Sequence, residues 1–367
     1  MRVAITGAFG FLGANFLRAG RTEGFLSPSD EIVAFHSRTR EHPLLDGFAY
    51  RSVHLDVSDA NDLTAKTRGV DLLVHFAGKV AYARADAAAA WRINVGGTAA
   101  VLEAVRRNNI PRAVLVSSIA ALGATSAGRL GDEANDPYTP ATPIAFRSRE
   151  ETLAALTSAE RGDYRFFRRF RSVYFETKLA ALELARAAIR REGLPIVTIF
   201  PGTTVGAGDV HYAIAELVDK VWTGRLLATL PGETSFVHAA DFAEGAWLAA
   251  LRGAPGDEFV ISGRDADNLR FGDFMALIAR TAHTAGGRRV RQRFLTVPHG
   301  PAVIAGALAE ALGGGGSFSA GLVRAGAGSL RYTSARAAER LGYQPRRSLA
   351  DGILACRRFS EARRDRR

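Results

Sequence analysis

Short, nearly unbroken apolar runs recur through the first 202 residues: RVAITG (2–7), EIVAFH (31–36), DLLVHFAG (71–78), RAVLVSS (112–118) and PIVTIFPG (195–202). Runs this short, without polar alternation, fit strands buried on both faces. Helical patterns lie between several of them, notably at 92–108 and 172–192. Apolar strands alternating with helices predict an α/β fold, a doubly wound parallel sheet with helices on both sides. Past residue 203 the pattern loosens, with helices expected at about 211–224, 241–252, 272–285 and 335–341, between loops containing Gly and Pro. Asp241 followed three residues later by Glu244 has capping-box spacing, and Gly253 closes that helix. There is no internal repeat. The division expected is a sheet domain over 1–202, with an inserted segment at about 141–171, and then a smaller lobe mainly over 203–355. Residues 236–263 return to the first domain, 356–367 form a basic tail, and the lobe also draws on 125–171, 203–235 and 264–333.

Composition narrows the function classes. Hydrophobic residues at 47% and charged residues at 23% are ordinary for a globular chain of 367 residues. The net charge of +11 invites a nucleic-acid reading. Part of the charge sits in the tail CRRFSEARRDRR (356–367) and part in RFFRRFR (165–171). No nucleic-acid-binding motif accompanies either, so both read as solvated surface and no nucleic-acid partner is expected. The apolar stretch PAVIAGALAEALGGGG (301–316) contains Glu310 and a run of four glycines, too short and broken to span a membrane. The chain opens directly on a strand pattern with no basic-then-apolar leader, so no signal peptide is expected. The single cysteine, Cys356, excludes an intrachain disulfide and fits a reducing cytoplasm. His75 and His238 lie in apolar runs without metal-ligand spacing and read as packed core histidines, and no metal is expected.

The first strand runs into TGAFGFLG, with Gly7, Gly10 and Gly13, and the helical pattern ANFLRAG (14–20) follows. Glycines there let the backbone turn tightly and approach a pyrophosphate, whose charge the helix N-terminus favours. A glycine-rich turn without a ligand is the bland reading; its place between the first strand and first helix favours a dinucleotide. The end of the second strand bears on which dinucleotide. It carries His36, Ser37, Arg38 and Arg40 and no acid. A carboxylate there would accept from the adenosine ribose of NAD and repel the extra phosphate of NADP, whereas an arginine fork matches that phosphate. Ser37 and Arg38 thus point to NADP(H) over NAD(H), although in a chain this rich in arginine Arg38 could simply be solvated.

Lys178 is one of only four lysines, against 44 arginines. It follows Tyr174 by four residues, so the two share a helix face. A tyrosine with a pKa near about 10 is a poor base at neutral pH, and a neighbouring ammonium would favour the phenolate. Ser118 closes the fourth apolar run, at a strand end where ligands sit in such sheets.

Taken in order, TGAFGFLG, HLDVSD (54–59), HFAG (75–78), INVGGTAAVLEA (93–104), LVSSIAALG (115–123), YFETK (174–178), FPGTTVGAGD (200–209), FVHAADFAEG (236–245) and the closing AAERLGYQPRRSLADGI (337–353) resemble the extended short-chain dehydrogenase/reductase superfamily. The resemblance covers nearly the whole chain. It is nearest to the dihydroflavonol-reductase and hydroxysteroid-dehydrogenase-like branch, with sugar-nucleotide epimerases as close relatives. The resemblance implies that Ser118 bonds the substrate oxygen, Tyr174 is the general acid/base and Lys178 is its partner. It implies adenine contacts from Asp56 and Val57, and a loop beside the ribose and phosphates at Ala77 and Gly78. Asn94 would lie buried near the site, and Pro201, Gly202 and Thr203 would lie under the nicotinamide. Gly7, Gly10, Phe11, Gly13, Ser37, Arg38 and Lys178 complete the cofactor set.

Two departures matter. Ile119 and Ala120 stand where sugar-nucleotide dehydratases of the superfamily carry an Asp-Glu pair, so dehydration by that route is not expected. Ser118 and Tyr174 are 56 residues apart, longer than the resemblance leads one to expect. The surplus includes FRSREETLAALTSAERG (146–162), read as an amphipathic helix capped by Ser148 and Glu151 with Leu153 and Leu156 on one side. Residues 145–171 hold seven arginines and four acids, so the segment is either a solvated insertion or a lid that meets an anionic group. The function expected is NADP(H)-dependent interconversion of a ketone or aldehyde and an alcohol on a small-molecule substrate. The alternatives are a sugar-nucleotide epimerase working through a transient ketone and a non-catalytic dinucleotide sensor, and a homodimer is compatible with all three.

Overall fold

The computed structural model describes residues 1–38, 41–126, 128–210, 213–286, 290–312 and 319–365; Arg40 and the first residues of the helix expected at 211 lie outside the described residues. The chain begins β1 (Arg2–Thr6), α1 (Phe11–Thr22), β2 (Glu31–His36), β3 (Arg51–His54), α2 (Ala60–Lys66), β4 (Leu72–His75) and α3 (Ala87–Trp91). A π-helical turn over Arg92–Gly96 joins α3 to α4 (Gly97–Asn108). Then come β5 (Ala113–Val116), α5 (Ile119–Leu122), α6 (Arg149–Glu160), α7 (Val173–Glu192) and β6 (Ile196–Pro201). The lobe opens with β7 (Thr203–Val205), α8 (Ala213–Trp222), β8 (Ala228–Thr229) and β9 (Glu233–His238). The chain returns through α9 (Ala239–Arg252) to β10 (Glu258–Ile261). It finishes with β11 (Asn268–Arg270), α10 (Phe271–Thr284), β12 (Leu295–Thr296), α11 (His299–Ala311), α12 (Ala320–Ala325), β13 (Ser329–Leu330), α13 (Ala335–Leu341) and α14 (Leu349–Asp365).

Seven strands form one parallel sheet in the order β10-β6-β5-β4-β1-β2-β3. The unbroken apolar runs have the reason inferred from sequence: alternate residues of one strand enter different cores. In β1, Val3 and Ile5 pack with Phe16, Phe242 and Trp247 under α1 and α9. Ala4 packs with Leu63, Val101 and Val105 under α2 and α4 on the other face. The order of strands reverses at β1 and β4, and the crevice beyond their carboxyl ends is where doubly wound sheets bind ligands.

The lobe has its own core. Strand β9 pairs with β7, β11 and β13, and Phe236 stacks on Phe274 with ring centroids 4.0 Å apart. Of the residues expected as a basic tail, 356–365 continue α14, and 366 and 367 lie outside the described residues. Cys356 is buried there, and Arg357 and Arg364 both pair with Asp219, at 2.5 and 2.6 Å. Arginines in this chain therefore serve packing as well as solvation.

Asp241 is not a cap. Helix α9 starts two residues earlier, where His238 accepts from the Ala240 N–H at 3.1 Å. Asp241 is fully buried and accepts from the Arg347 backbone at 2.9 Å and its guanidinium at 2.7 Å. A polar residue in a helix's first turn looks the same in sequence whether it caps the helix or binds a distant arginine.

The insertion is an added helix, α6, with Ser148 Oγ accepting from the Glu151 N–H at 3.3 Å. Its inward side is Thr152, Ala155 and Leu156, whereas Leu153 is 37% exposed. The helix lies along the flank of α7, tied there by Arg149 to the buried Glu183 at 2.7 Å. Beyond it, Phe166, Phe167 and Phe170 pack on Trp91, with centroids 4.9, 5.6 and 6.2 Å away. One oxygen holds both ends of the segment: Glu176 Oε1 accepts from the Ala145 N–H at 2.6 Å and the Arg171 N–H at 2.9 Å.

Candidate active site

The glycine loop is built for close approach. Gly7 has φ of +66°, and a Cβ there would lie 2.7 Å from the Ala77 nitrogen. A Cβ at Gly13 would lie 2.4 Å from the Gly7 carbonyl oxygen, so only glycine lets α1 sit this near the turn. Gly10 caps α1, and Phe11 begins it. Thr6 joins the neighbouring loop to this strand: its hydroxyl meets His75 Nδ1 at 2.7 Å and accepts from the Ala77 N–H at 3.4 Å. His75 is a packed core histidine, as the sequence indicated. Burial first and the Lys178 charge second hold it down to about 3.

Ser37 and Arg38 stand exposed just past β2, whose last residue, His36, meets Phe9 edge-on at 6.0 Å; Phe9 also meets Tyr50 at 5.5 Å. Asp56 is exposed, and its carboxylate accepts from Ser58 Oγ at 2.7 Å and pairs with Arg92 at 2.6 Å. The Ser58 hydrogen bond, with Arg92, keeps it below the usual carboxylate range. Val57 beside it is buried. On the far side of the crevice, Pro201 ends β6, and Gly202 packs against the β9 backbone, where a Cβ would lie 2.9 Å from the Ser235 carbonyl oxygen. Thr203 Oγ1 meets Thr234 Oγ1 at 3.2 Å.

Asn94 is buried within the π-helical turn. Its side chain accepts from the Lys79 N–H at 2.7 Å and donates to the Lys79 carbonyl at 3.0 Å and to Thr177 Oγ1 at 2.9 Å. One amide therefore locks the loop after β4 onto α7.

Ser118 leaves the end of β5 and caps α5, accepting from the Ala120 N–H at 3.1 Å. Burial raises the Tyr174 pKa, and the neighbouring Ser118 hydroxyl only partly offsets this. The expectation that Lys178 lowers Tyr174 is not what this arrangement gives. The ammonium lies one turn further on and donates to the Val116 carbonyl at 3.3 Å, and burial has lowered its own pKa to about 8. A phenol kept protonated is an acid in waiting, which suits proton donation to a developing alkoxide.

The residues present fit a nicotinamide dinucleotide. An ammonium with three donors and one protein acceptor retains capacity for a vicinal diol. A Cβ at Gly78 would stand 3.4 Å from Lys178 Nζ and 3.3 Å from Asn94 Oδ1, so glycine keeps that approach open. The three glycines supply the tight turn and the capped helix that a pyrophosphate needs.

Two neighbours escaped sequence reasoning. Tyr82 meets Tyr174 edge-on, with centroids 5.9 Å apart. Glu176 sits between Tyr174 and Lys178 in sequence yet is fully buried, with its carboxyl pushed up to about 8, mainly by burial. The first contact is long-range, and the second residue reads as an ordinary helical glutamate.

The chain resembles known proteins along most of its length. It is 26% identical over 265 residues to sterol demethylase protein B of Methylococcus capsulatus, a match spanning 72% of this chain and 70% of that protein. It is 27% identical over 307 residues to a 3 beta-hydroxysteroid dehydrogenase/Delta 5-->4-isomerase of Mycobacterium tuberculosis, spanning 78% and 70%. dTDP-glucose 4,6-dehydratases are also among its relatives. In fold it resembles the crystal structure of gox2253, with a TM-score of 0.75, 22% identity and 98% of both chains covered. The model of the NAD dependent epimerase/dehydratase family matches residues 3–149 and 151–262. With the nucleotide-binding sheet and its crevice, this decides the matter: the chain belongs to the NAD dependent epimerase/dehydratase family.

Proposed function

We propose that the protein is an NADP(H)-dependent reductase that interconverts a ketone or aldehyde and the corresponding alcohol. The observation that carries the reading is the Tyr174 phenol, beside Ser118 and kept protonated, one turn from the half-buried Lys178. When bound, the dinucleotide supplies or accepts the hydride at the carbonyl carbon. Ser118 orients the carbonyl oxygen, Tyr174 gives its proton to that oxygen on reduction and takes it back on oxidation, and Lys178 holds the nicotinamide ribose. Gly7, Gly10, Phe11 and Gly13 would receive the pyrophosphate, and Asp56 and Val57 the adenine. Ala77, Gly78 and Asn94 would line the ribose, with Pro201, Gly202 and Thr203 beneath the nicotinamide. Ser37 and Arg38, with no acid beside them at the end of β2, favour the extra phosphate of NADP.

Elimination of water needs proton carriers beside the reacting carbons. Ile119 and Ala120 are buried and carry none, which speaks against the activity named for the dehydratase relatives. The 3 beta-hydroxysteroid dehydrogenase relative supports alcohol–ketone chemistry at such a site. The test is reduced-cofactor consumption across a panel of ketones and aldehydes. A reductase consumes NADPH in proportion to alcohol formed. An enzyme that changes a sugar nucleotide while its cofactor shows no net turnover would be an epimerase instead.

A further inference from the structure

A second pocket opens one ring away from Tyr174. Tyr82 forms part of its wall, and Arg84, Arg171 and Arg324 converge on it from three separate segments. Arg84 comes from the loop after β4, Arg171 from the end of the insertion, and Arg324 from α12. Their hydrogen bonds to the protein go to backbone carbonyls: Arg84 Nε to Phe170 at 2.8 Å, and an Arg324 terminal nitrogen to Arg171 at 3.3 Å. Among the described residues none of the three makes an ion pair with a carboxylate. That sets them apart from Arg149, Arg186, Arg347 and Arg357, all of which are paired. One acid, Glu310, also lines the pocket, and its Oε1 is buried without a hydrogen-bond partner. Glu176, behind the pocket, also acts on the three arginines, but burial pushes its carboxyl up to about 8 and so favours the neutral form, which leaves an excess of positive charge at a concave surface. The Arg324 pKa is lowered by burial and then by the charges of Arg171 and Arg84, which Glu310 and Glu176 only partly offset.

We infer that this pocket receives a compact anionic group, a carboxylate or a phosphate, carried by the substrate whose carbonyl lies at Tyr174. Guanidinium forks bind such oxyanions in pairs of parallel hydrogen bonds. The backbone contacts aim the guanidinium groups without using up their donors, since each fork has five N–H groups. Gly321 is part of this design: a Cβ there would lie 2.1 Å from the Tyr82 carbonyl oxygen, so glycine brings α12 and Arg324 against the Tyr82 loop. The inference rests on the reductase reading only for placing the reacting carbonyl; the arginine pocket can be tested without turnover.

The first arm is isothermal titration of inorganic pyrophosphate and of malonate into protein saturated with whichever of NADP⁺ or NAD⁺ binds it more tightly, so the cofactor's own phosphate sites are filled. Binding of at least one anion is expected, weakened about tenfold to a hundredfold in Arg324→Gln and in Arg84→Gln, with cofactor affinity unchanged. Preference between the two anions tells phosphate from carboxylate. No binding of either anion by the wild type, or equal binding by the variants, overturns the inference. In the second arm, an aldehyde bearing a carboxylate is compared with its neutral amide isostere. KM should be about tenfold lower for the anion in the wild type, and that gap should close in Arg324→Gln. Equal KM values in the wild type would overturn the inference, whereas absence of NADPH consumption with every carbonyl would sink the reductase reading and leave the first arm to judge the pocket.

Discussion

Helix α7 carries ionisable groups on two sides, and they are treated in opposite ways. On the side facing the carboxyl end of β5, Tyr174 and Lys178 are half-buried and keep spare hydrogen-bonding capacity; among the described residues the ammonium has one protein acceptor. On the side facing the insertion, Glu176 and Glu183 sit seven residues apart and are closed in: Glu176 Oε1 accepts from two backbone N–H groups and Glu183 pairs with Arg149 and Arg186, while Oε2 of each is buried without a hydrogen-bond partner. Burial shifts Tyr174, Glu176 and Lys178 in the direction that disfavours charge. What separates the two sides is access: Tyr174 and Lys178 are half-buried, whereas Glu176 and Glu183 are 0% and 1% exposed. A polar group with spare capacity that can be reached from the crevice is open to a ligand, and one closed in by protein is structure.

That contrast can be broken one side at a time. The largest effect should come from Tyr174→Phe, which removes the transferable proton and nothing else. Turnover should fall about a thousandfold while cofactor affinity, read by fluorescence titration, stays within about twofold. Next, Glu176→Ala leaves the Ala145 and Arg171 N–H groups without their acceptor and should lower unfolding free energy by about 3 kcal/mol in denaturant titration. Glu176→Gln sharpens the point because it retains an acceptor oxygen. In the unfolded chain Glu176 has the ordinary carboxylate pKa, and in the folded protein it is pushed up to about 8. The wild type should therefore lose stability relative to Glu176→Gln as pH climbs from about 4.5 to about 8, and the two should run parallel outside that window. Curves that stay parallel throughout would mean Glu176 is not held protonated.

Lys178→Arg should cost about a hundredfold in turnover with the fold intact, because the planar fork cannot occupy the ammonium's place under the Val116 carbonyl. In the wild type, activity that depends on this ammonium should decline above about pH 8, where it loses its proton. The smallest effect is expected at the cofactor's far end. NADPH should bind about tenfold tighter than NADH, and Arg38→Glu should erase or invert that preference. Equal wild-type affinities would remove Arg38 from the site.

Much of the crevice could be read from the chain because local backbone rules govern it. Gly7, Gly10 and Gly13 announce a turn that admits no side chain, and unbroken apolar strands announce a sheet covered on both faces. The insertion was less legible. Its capped helix was visible, but Leu153 faces outward and the buried stripe runs through Thr152, Ala155 and Leu156. Its purchase on α7 comes from Glu176 and Glu183, which carry no periodic signal of their own. The arginines of the second pocket were hidden by abundance. Among 44 arginines, Arg84 and Arg324 stand out only once the fold shows which of them lack an acid.

The path of the chain through the large sheet also governs how the protein can be divided. Strand β6 is bordered on its outer side by β10, pairing Thr198 with Glu258, so the sheet closes only after the chain has made β7 to β9 and returned. During synthesis the first domain therefore carries an open apolar edge, Ile-Val-Thr-Ile-Phe-Pro, until those later residues emerge. Unpaired edges of this kind template pairing between chains. A shortened chain ending near residue 202 should consequently self-associate, whereas one that retains β10 and α9 keeps the edge covered.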